Sequence, residues 1–271
     1  MTQFDVNLSI LFTELPLLER PAAARSAGFS AVEFWWPWNV AVPSDADIDA
    51  FVTAVQDAGV RLVGLNFFAG DMPAGDRGLV SWPARSGEFR DNIDVAIGVG
   101  ERLGCRAFNA LYGNRVPGIP PEAQDAVAVE NLRLAAAAAG RIGGIVLIEP
   151  VSGAPAYPLL TAADAIAVID RVERETGAAN LRLLCDVYHL AVNGDDPQKA
   201  IAEHIERIGH VQVADAPGRH EPGTGQLDID GYLRQLDQAG YRGWVGLEYK
   251  PSGASADSLD WLPPERRSAG A

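Results

Sequence analysis

The sequence predicts an α/β chain folded as a single (β/α)8 barrel, and three observations carry that expectation. One unit recurs along the chain: an Ala/Leu-rich helical segment, a glycine, then a short β-branched or aromatic run. The runs VLIE and LRLLCD are continuously apolar up to a terminal acid, as strands buried on both faces are, and strands separated by helices must lie parallel. The length of 271 residues suits one large domain of eight βα units better than two small domains. A doubly wound open sheet is the alternative, but no strand is followed by the Gly-x-Gly-x-x-Gly turn of a dinucleotide site.

In chain order, a first strand is expected around Phe4–Ile10. AAARSAG then leads into FSAVEF at Gly28, AVQDAG into VRLVGLNF at Gly59, and GERLG into CRAFNAL at Gly104. IVLIEP follows Gly143 and Gly144, LRLLCDV follows the segment of Gly177, HVQVAD follows Gly209, and YRGWVGLEY follows Gly240. Each glycine reads as a helix stop, because glycine takes the left-handed C′ conformation without a Cβ clash. Ser44-Asp45 and Thr161 with Asp164 read as helix N-caps. Long loops are expected at 67–86, 111–121 and 214–229, and the Pro/Ser/Ala-rich segment 251–271 reads as a C-terminal surface tail of the one domain 1–271.

Composition narrows the function. A formal net charge of −14 opposes nucleic acid, whose binding rests on Lys and Arg displacing counterions. It leaves room for a small anionic substrate, since one metal and one Arg dominate the field inside a cleft. Cys105 and Cys185 read as buried free thiols of a reducing compartment. The start MTQFDVNLSILF lacks a basic leader, and no apolar run approaches the ~20 residues that span a bilayer. The expected setting is cytoplasmic, without membrane or nucleic-acid partners, and homo-oligomerisation is left open.

In such barrels the C-terminal strand ends build the site. The last polar residues of the four late strands are Glu149 (VLIEP), Asp186 (LLCDVYH), Gln212 (HVQVAD) and Glu248 (VGLEY). A single acid there commonly caps the next helix or meets a cation. Four in register on consecutive strands point instead to one divalent metal, and an all-oxygen set favours Mg²⁺ or Mn²⁺ over Zn²⁺.

These residues, with NLSILFTELPLLER, AGFSAVEFWWP, NFFAGDMPAGDRGL, IEP, CDVYH, HVQVADAPGRHEPGTGQLD, GYRGWVGLEYKP and DSLDWLP, resemble the hydroxypyruvate isomerases of the xylose isomerase-like TIM barrel superfamily nearly end to end. The resemblance implies metal binding by the same four residues, with Glu149 and Glu248 doubling as the proton-transferring pair. It implies that His189 contacts substrate oxygens and that Arg219 meets a substrate carboxylate through its planar fork. The implied reaction interconverts hydroxypyruvate and 2-hydroxy-3-oxopropanoate (tartronate semialdehyde) through an enediolate. In one segment the chain departs: Val151-Ser152-Gly153-Ala154-Pro155 stands where the family carries a polar, basic stretch, so the substrate is less constrained than the fold.

The ligand is accordingly expected to be a small 2-oxo acid or a small ketose. A ketose 3-epimerase using the same four positions is the main alternative, although such relatives carry His where this chain has Gln212. A lyase or dehydratase and a non-catalytic binding barrel stand behind it. A metal-dependent DNA repair phosphodiesterase needs more histidines than four and a basic groove. Glu33 ends the second strand and is a candidate pocket residue; His220 and Glu221 flank the Arg219 position, with Glu221 a candidate partner for it. His204 and His210 read as surface or packing residues.

Overall fold

The computed structural model describes residues 2–268. Eight parallel strands close into a barrel in chain order, β1 pairing with both β2 and β8. The strands are β1 (Gln3–Asn7), β2 (Ala31–Phe34), β3 (Arg61–Asn66), β4 (Ala107–Asn109), β5 (Ile145–Ile148), β6 (Leu181–Asp186), β7 (Ile208–Val213) and β8 (Trp244–Leu247). Between them run α1 (Arg20–Ser26), α2 (Asp45–Ala58), α3 (Ser86–Leu103), α4 (Pro121–Arg141), α5 (Ala162–Thr176), α6 (Val187–Val192), α7 (Pro197–His204) and α8 (Ile229–Gln238). Among the described residues no helix is long and apolar enough to cross a membrane.

The punctuation follows the chemistry read from the sequence. Ser44 accepts the Asp47 N–H at the start of α2, and Thr161 with Asp164 forms a reciprocal capping box at α5. Gly59, Gly104 and Gly177 end their helices in the left-handed conformation. Gly209 does not: it lies inside β7, where a Cβ would come within 2.6 Å of the Arg182 Cβ and 2.7 Å of the Ile145 Cδ1. It is a packing glycine, needed for close approach rather than for a turn.

Strand alternation sorts the interior. Phe4, Val6, Val32, Phe34, Val211, Val213, Val245 and Leu247 belong to the large apolar cluster shared with the helices. Their neighbours Asp5, Asn7, Glu33, His210, Gln212 and Gly246 therefore face the barrel axis. On the opposite wall a small plug of Ala107, Leu147 and Leu184 fills the space. The barrel interior is thus polar on the β7–β8–β1–β2 side.

The segment expected as a surface tail is mostly exposed over 251–268 but is anchored to the barrel by a few buried residues; 269–271 lie outside the described residues. Leu259 and Leu262 are fully buried, and the Trp261 ring meets Phe4 edge-on at 6.1 Å. A short helix, α9 (Pro264–Arg267), follows, and Arg267 donates to the carbonyls of Leu259, Leu262 and Ala27. Both cysteines are buried and free.

Candidate active site

Each late strand delivers its last polar residue to the barrel mouth. Glu149 and Glu248 directly follow β5 and β8, Asp186 closes β6, and Gln212 is the penultimate residue of β7. All four are buried. Asp186 and Gln212 are register partners across β6 and β7, and Gln212 pairs with Gly246 of β8. Oxygens of Glu149 and Asp186 and a ring nitrogen of His189 lie within 4.8 Å of one another. Glu248 joins them through Arg219, whose Nη2 is 2.5 Å from Glu248 and 3.6 Å from Asp186.

Like charges crowded out of water resist ionisation. Burial, and then the Asp186 charge, push Glu149 up to about 8. Burial raises Asp186 to about 6 against the pull of Arg219, and holds Glu248 well above the usual carboxylate range. Arg219, its guanidinium 5.3 Å from the Tyr188 ring centre, is the half-buried cation set among the three acids.

The donor set fits a hard divalent cation. Asp186 Oδ1 accepts the N–H groups of Tyr188 and His189 as the cap of α6, while its Oδ2 has no hydrogen-bond partner. Gln212 Oε1 is likewise buried and without a partner. An orphaned buried oxygen is costly, and two of them beside two further carboxylates are what an oxygen-seeking ion would satisfy.

His189 has a different chemistry, although it adjoins the same oxygens. Its Nδ1 accepts the backbone N–H of Ser152 at 3.0 Å. Burial, with Arg219 and Arg77 nearby, keeps the ring's pKa well below the usual histidine range, so the ring is neutral. A neutral ring with Nδ1 as acceptor carries its proton on Nε2, which faces Asp186 at 3.6 Å and Glu149 at 3.9 Å. That nitrogen is a donor and is not free to ligate a metal. The departing segment 151–155 thus supplies the group that sets the His189 tautomer.

The early strands add three asparagines that the sequence analysis did not single out, beside the Glu33 that it did. β1, β3 and β4 each end on asparagine, and β2 carries Glu33. Asn109 donates to Glu149 at 2.7 Å; Asn7 bridges Glu33 and Glu248 at 3.0 and 3.1 Å. The signal that marked the late-strand positions, a polar residue closing an apolar run, is present in FDVN, GLN and AFN as well. Glu33 lies at the floor, hydrogen-bonded by Gln212 at 2.7 Å and His210 at 2.6 Å. His210 is therefore neither a surface nor an apolar packing residue: burial opposes its charge, but the Glu33 carboxylate overrides this and raises it to about 9. His204 is half-buried on α7, Glu221 pairs with Ser252 rather than Arg219, and His220 donates to the Lys250 carbonyl.

Above the acids opens a cleft of about 390 Å³ lined by Glu149, Glu248, His189, Arg219, Ser152, Arg77, Lys250 and Trp35, among others. Arg77 and Lys250 add positive charge that the 151–155 segment lacks. Through Trp35, Asn66, Met72 and Pro73 the cleft adjoins an aromatic cavity of about 570 Å³ that also includes Trp36, Trp38, Phe67 and Phe68.

Known proteins share this architecture. The xylose isomerase-like TIM barrel family model matches residues 21–265. A Streptomyces coelicolor protein, provisionally named a hydroxypyruvate isomerase, is 55% identical over 98% of both chains. The hydroxypyruvate isomerase of Escherichia coli is 35% identical, covering 98% of this chain and 100% of its own. The 2-oxo-tetronate isomerase of Cupriavidus necator is 36% identical over 97% of this chain and 98% of its own. A solved Brucella melitensis structure, described as an AP endonuclease of family 2, superposes with a TM-score of 0.87 at 34% identity, covering 97% of this chain and 99% of its own. The chain belongs to the xylose isomerase-like TIM barrel family and, within it, to the hydroxypyruvate isomerase family of isomerases.

Proposed function

We propose that this isomerase interconverts hydroxypyruvate and 2-hydroxy-3-oxopropanoate, with Glu149 and Glu248 moving the proton and Glu149, Asp186, Gln212 and Glu248 holding one Mg²⁺ or Mn²⁺. The observation that carries the reading is the pair of partnerless buried oxygens, on Asp186 and Gln212, beside two acids raised by burial. The substrate comes from the named relatives and from the basic rim of the cleft.

The reaction removes a proton from C3 of hydroxypyruvate and returns one to C2, while the hydroxyl proton of O3 passes to O2, so that the carbonyl moves to C3 and no atom is gained or lost. When bound, the divalent ion supplies electrophilic stabilisation of the charge on the enediolate oxygens. One glutamate takes the proton and the other returns it, a task suited to carboxyls whose affinity for protons has been raised toward neutrality. His189 donates from Nε2 to a substrate oxygen. Arg219, whose Nε has no partner, presents that N–H to the substrate carboxylate. The aromatic cavity beside the cleft favours a second substrate, a four-carbon 2-oxo acid of the kind named for the Cupriavidus necator relative. A phosphodiesterase reading gains no support from a cleft with one histidine among its lining residues on a chain of charge −14.

Proton NMR in D₂O with Mg²⁺ and hydroxypyruvate tests the reading. The expected result is deuterium at C2 of the product and its wash-in at C3 of the substrate. Turnover of a neutral ketose with exchange at its C3, and none with either 2-oxo acid, would replace the proposal with the epimerase alternative.

A further inference from the structure

A carboxylate presents oxygen whichever way it turns, but an amide does not: Gln212 serves a cation only if Oε1, and not the Nε2 group, faces it. We propose that Glu33 is a positioning residue whose carboxylate fixes the Gln212 amide with its oxygen toward the metal site. This rests on the reading of Gln212 as a ligand.

Glu33 is 3% exposed, and its carboxylate makes three hydrogen bonds, all to donors. Its Oε1 accepts from Gln212 Nε2 at 2.7 Å and from Asn7 Nδ2 at 3.0 Å; its Oε2 lies 2.6 Å from His210 Nε2. Turned the other way, the Gln212 oxygen would meet a buried carboxylate at hydrogen-bond distance, with two acceptors and no proton between them. The amide therefore has one tenable orientation, and it leaves Oε1 as the atom without a protein partner. Asn7 extends the same hold, because its Nδ2 also reaches Glu248 Oε2 at 3.1 Å. Glu33 thus orders two of the four proposed ligand positions.

The barrel is built around this side chain. The β2–β3 register shifts between Val32 and Glu33, an irregularity of the kind that re-aims a side chain. The neighbouring strands face it with glycines: a Cβ on Gly246 would lie 2.7 Å from Glu33 Oε1, and one on Gly64 would lie 3.0 Å from Oε2. His210 on the far oxygen keeps the buried charge from standing alone.

The test is the Mn²⁺ affinity, followed by the electron paramagnetic resonance of free Mn²⁺, for wild type, Glu33→Gln, Glu33→Asp, Gln212→Ala and the Glu33→Asp/Gln212→Ala double variant. Both Glu33 variants are expected to bind about ten- to a hundredfold more weakly, the usual cost of losing an outer contact that orients a ligand. Glu33→Asp is the decisive one, because it keeps the charge for His210 and for the cation while withdrawing the oxygens from Gln212. In the Gln212→Ala background the Glu33→Asp loss should shrink to about threefold or less, since no amide remains to orient. Wild-type affinity in Glu33→Asp, or equal losses in the two backgrounds, would overturn the proposal. Failure of wild type to bind Mn²⁺ would overturn the metal reading itself. Should the variants not fold, a neutron structure of wild type decides: deuterons on the atom facing Glu33 support the proposal, and deuterons on the other atom refute it.

Discussion

At the scale of single residues, the site works by dividing the atoms of each side chain between two tasks. Asp186 spends Oδ1 on capping α6 and keeps Oδ2 bare; His189 spends Nδ1 on the Ser152 N–H and keeps Nε2 as a donor. Glu149 is steadied by Asn109 on one oxygen, and Glu248 by Asn7 and Arg219. Replacing Glu149 or Glu248 by Gln preserves size and an oxygen donor but removes the proposed proton carrier. Turnover is expected to fall by about 10² or more in either variant. Steady-state rates measured beside bound-metal content check this, because each residue is also a proposed ligand. A metal-loaded Gln variant turning over at the wild-type rate would take that residue out of the proton transfer.

At the scale of elements, the loop 214–228 carries Arg219, and one buried acid organises it. Asp215 accepts the backbone N–H groups of Ala216, Gly223, Gly225 and Leu227, at 2.8, 2.9, 2.8 and 3.0 Å. The loop is also tied to the end of β8 by the Lys250 N–H on the Arg219 carbonyl, and Arg219 is held at φ 60°. Asp215→Asn turns an amide group toward two of those donors. Losing charge-assisted hydrogen bonds costs roughly 1.5–3 kcal/mol, and KM should rise as Arg219 loses its seat. Burial raises the Asp215 pKa, but the four donors outweigh it and hold the carboxyl below its ordinary value. The stabilisation is therefore present at neutral pH and lost as pH falls below about 4, where the carboxylate protonates. Urea denaturation of wild type and Asp215→Asn is expected to show a gap at pH 7 that narrows under acid. An equal gap at both pH values would mean that the carboxylate charge is not what holds the loop.

At the scale of the whole molecule, a chain of net charge −14 gathers several acids inside one barrel. Without a metal that gathering destabilises the fold. Glu149 and Asp186 bind protons more tightly folded, at about 8 and about 6, than unfolded, at roughly 4. Raised carboxyls contribute stability below their unfolded pKa and lose it as pH climbs through the folded values. In EDTA the melting temperature should decline between about pH 5 and pH 8, and Mn²⁺ should stabilise the protein increasingly over the same range. Melting curves with each addition check this. Parallel curves with and without Mn²⁺ across that range would contradict the proposed ligand set.

The barrel, its long loops and the four late-strand positions were legible in the sequence, because they depend on local chemistry. Helix caps, glycine stops and apolar runs ending in acids act within a few residues of one another. Gly209, expected as a helix stop, and the buried anchors within the surface segment 251–268 show the limit of that logic. A glycine required by the side chains of two neighbouring strands carries no local mark, and a segment without periodicity still buries Leu259 and Leu262 when the barrel offers it a flank. The same holds for the floor of the site. Asp5, Glu33 and His210 are far apart in sequence, and only strand register and the closure of β8 onto β1 bring them together. The sequence by itself determined which polar residues close the four late strands, since alternation and capping are properties of adjacent positions. Apart from the local cap that claims one oxygen of Asp186, the tertiary structure decided which atoms of those residues remain free, because the hydrogen bonds that claim atoms of Glu149, Gln212 and Glu248 cross from one strand or loop to another.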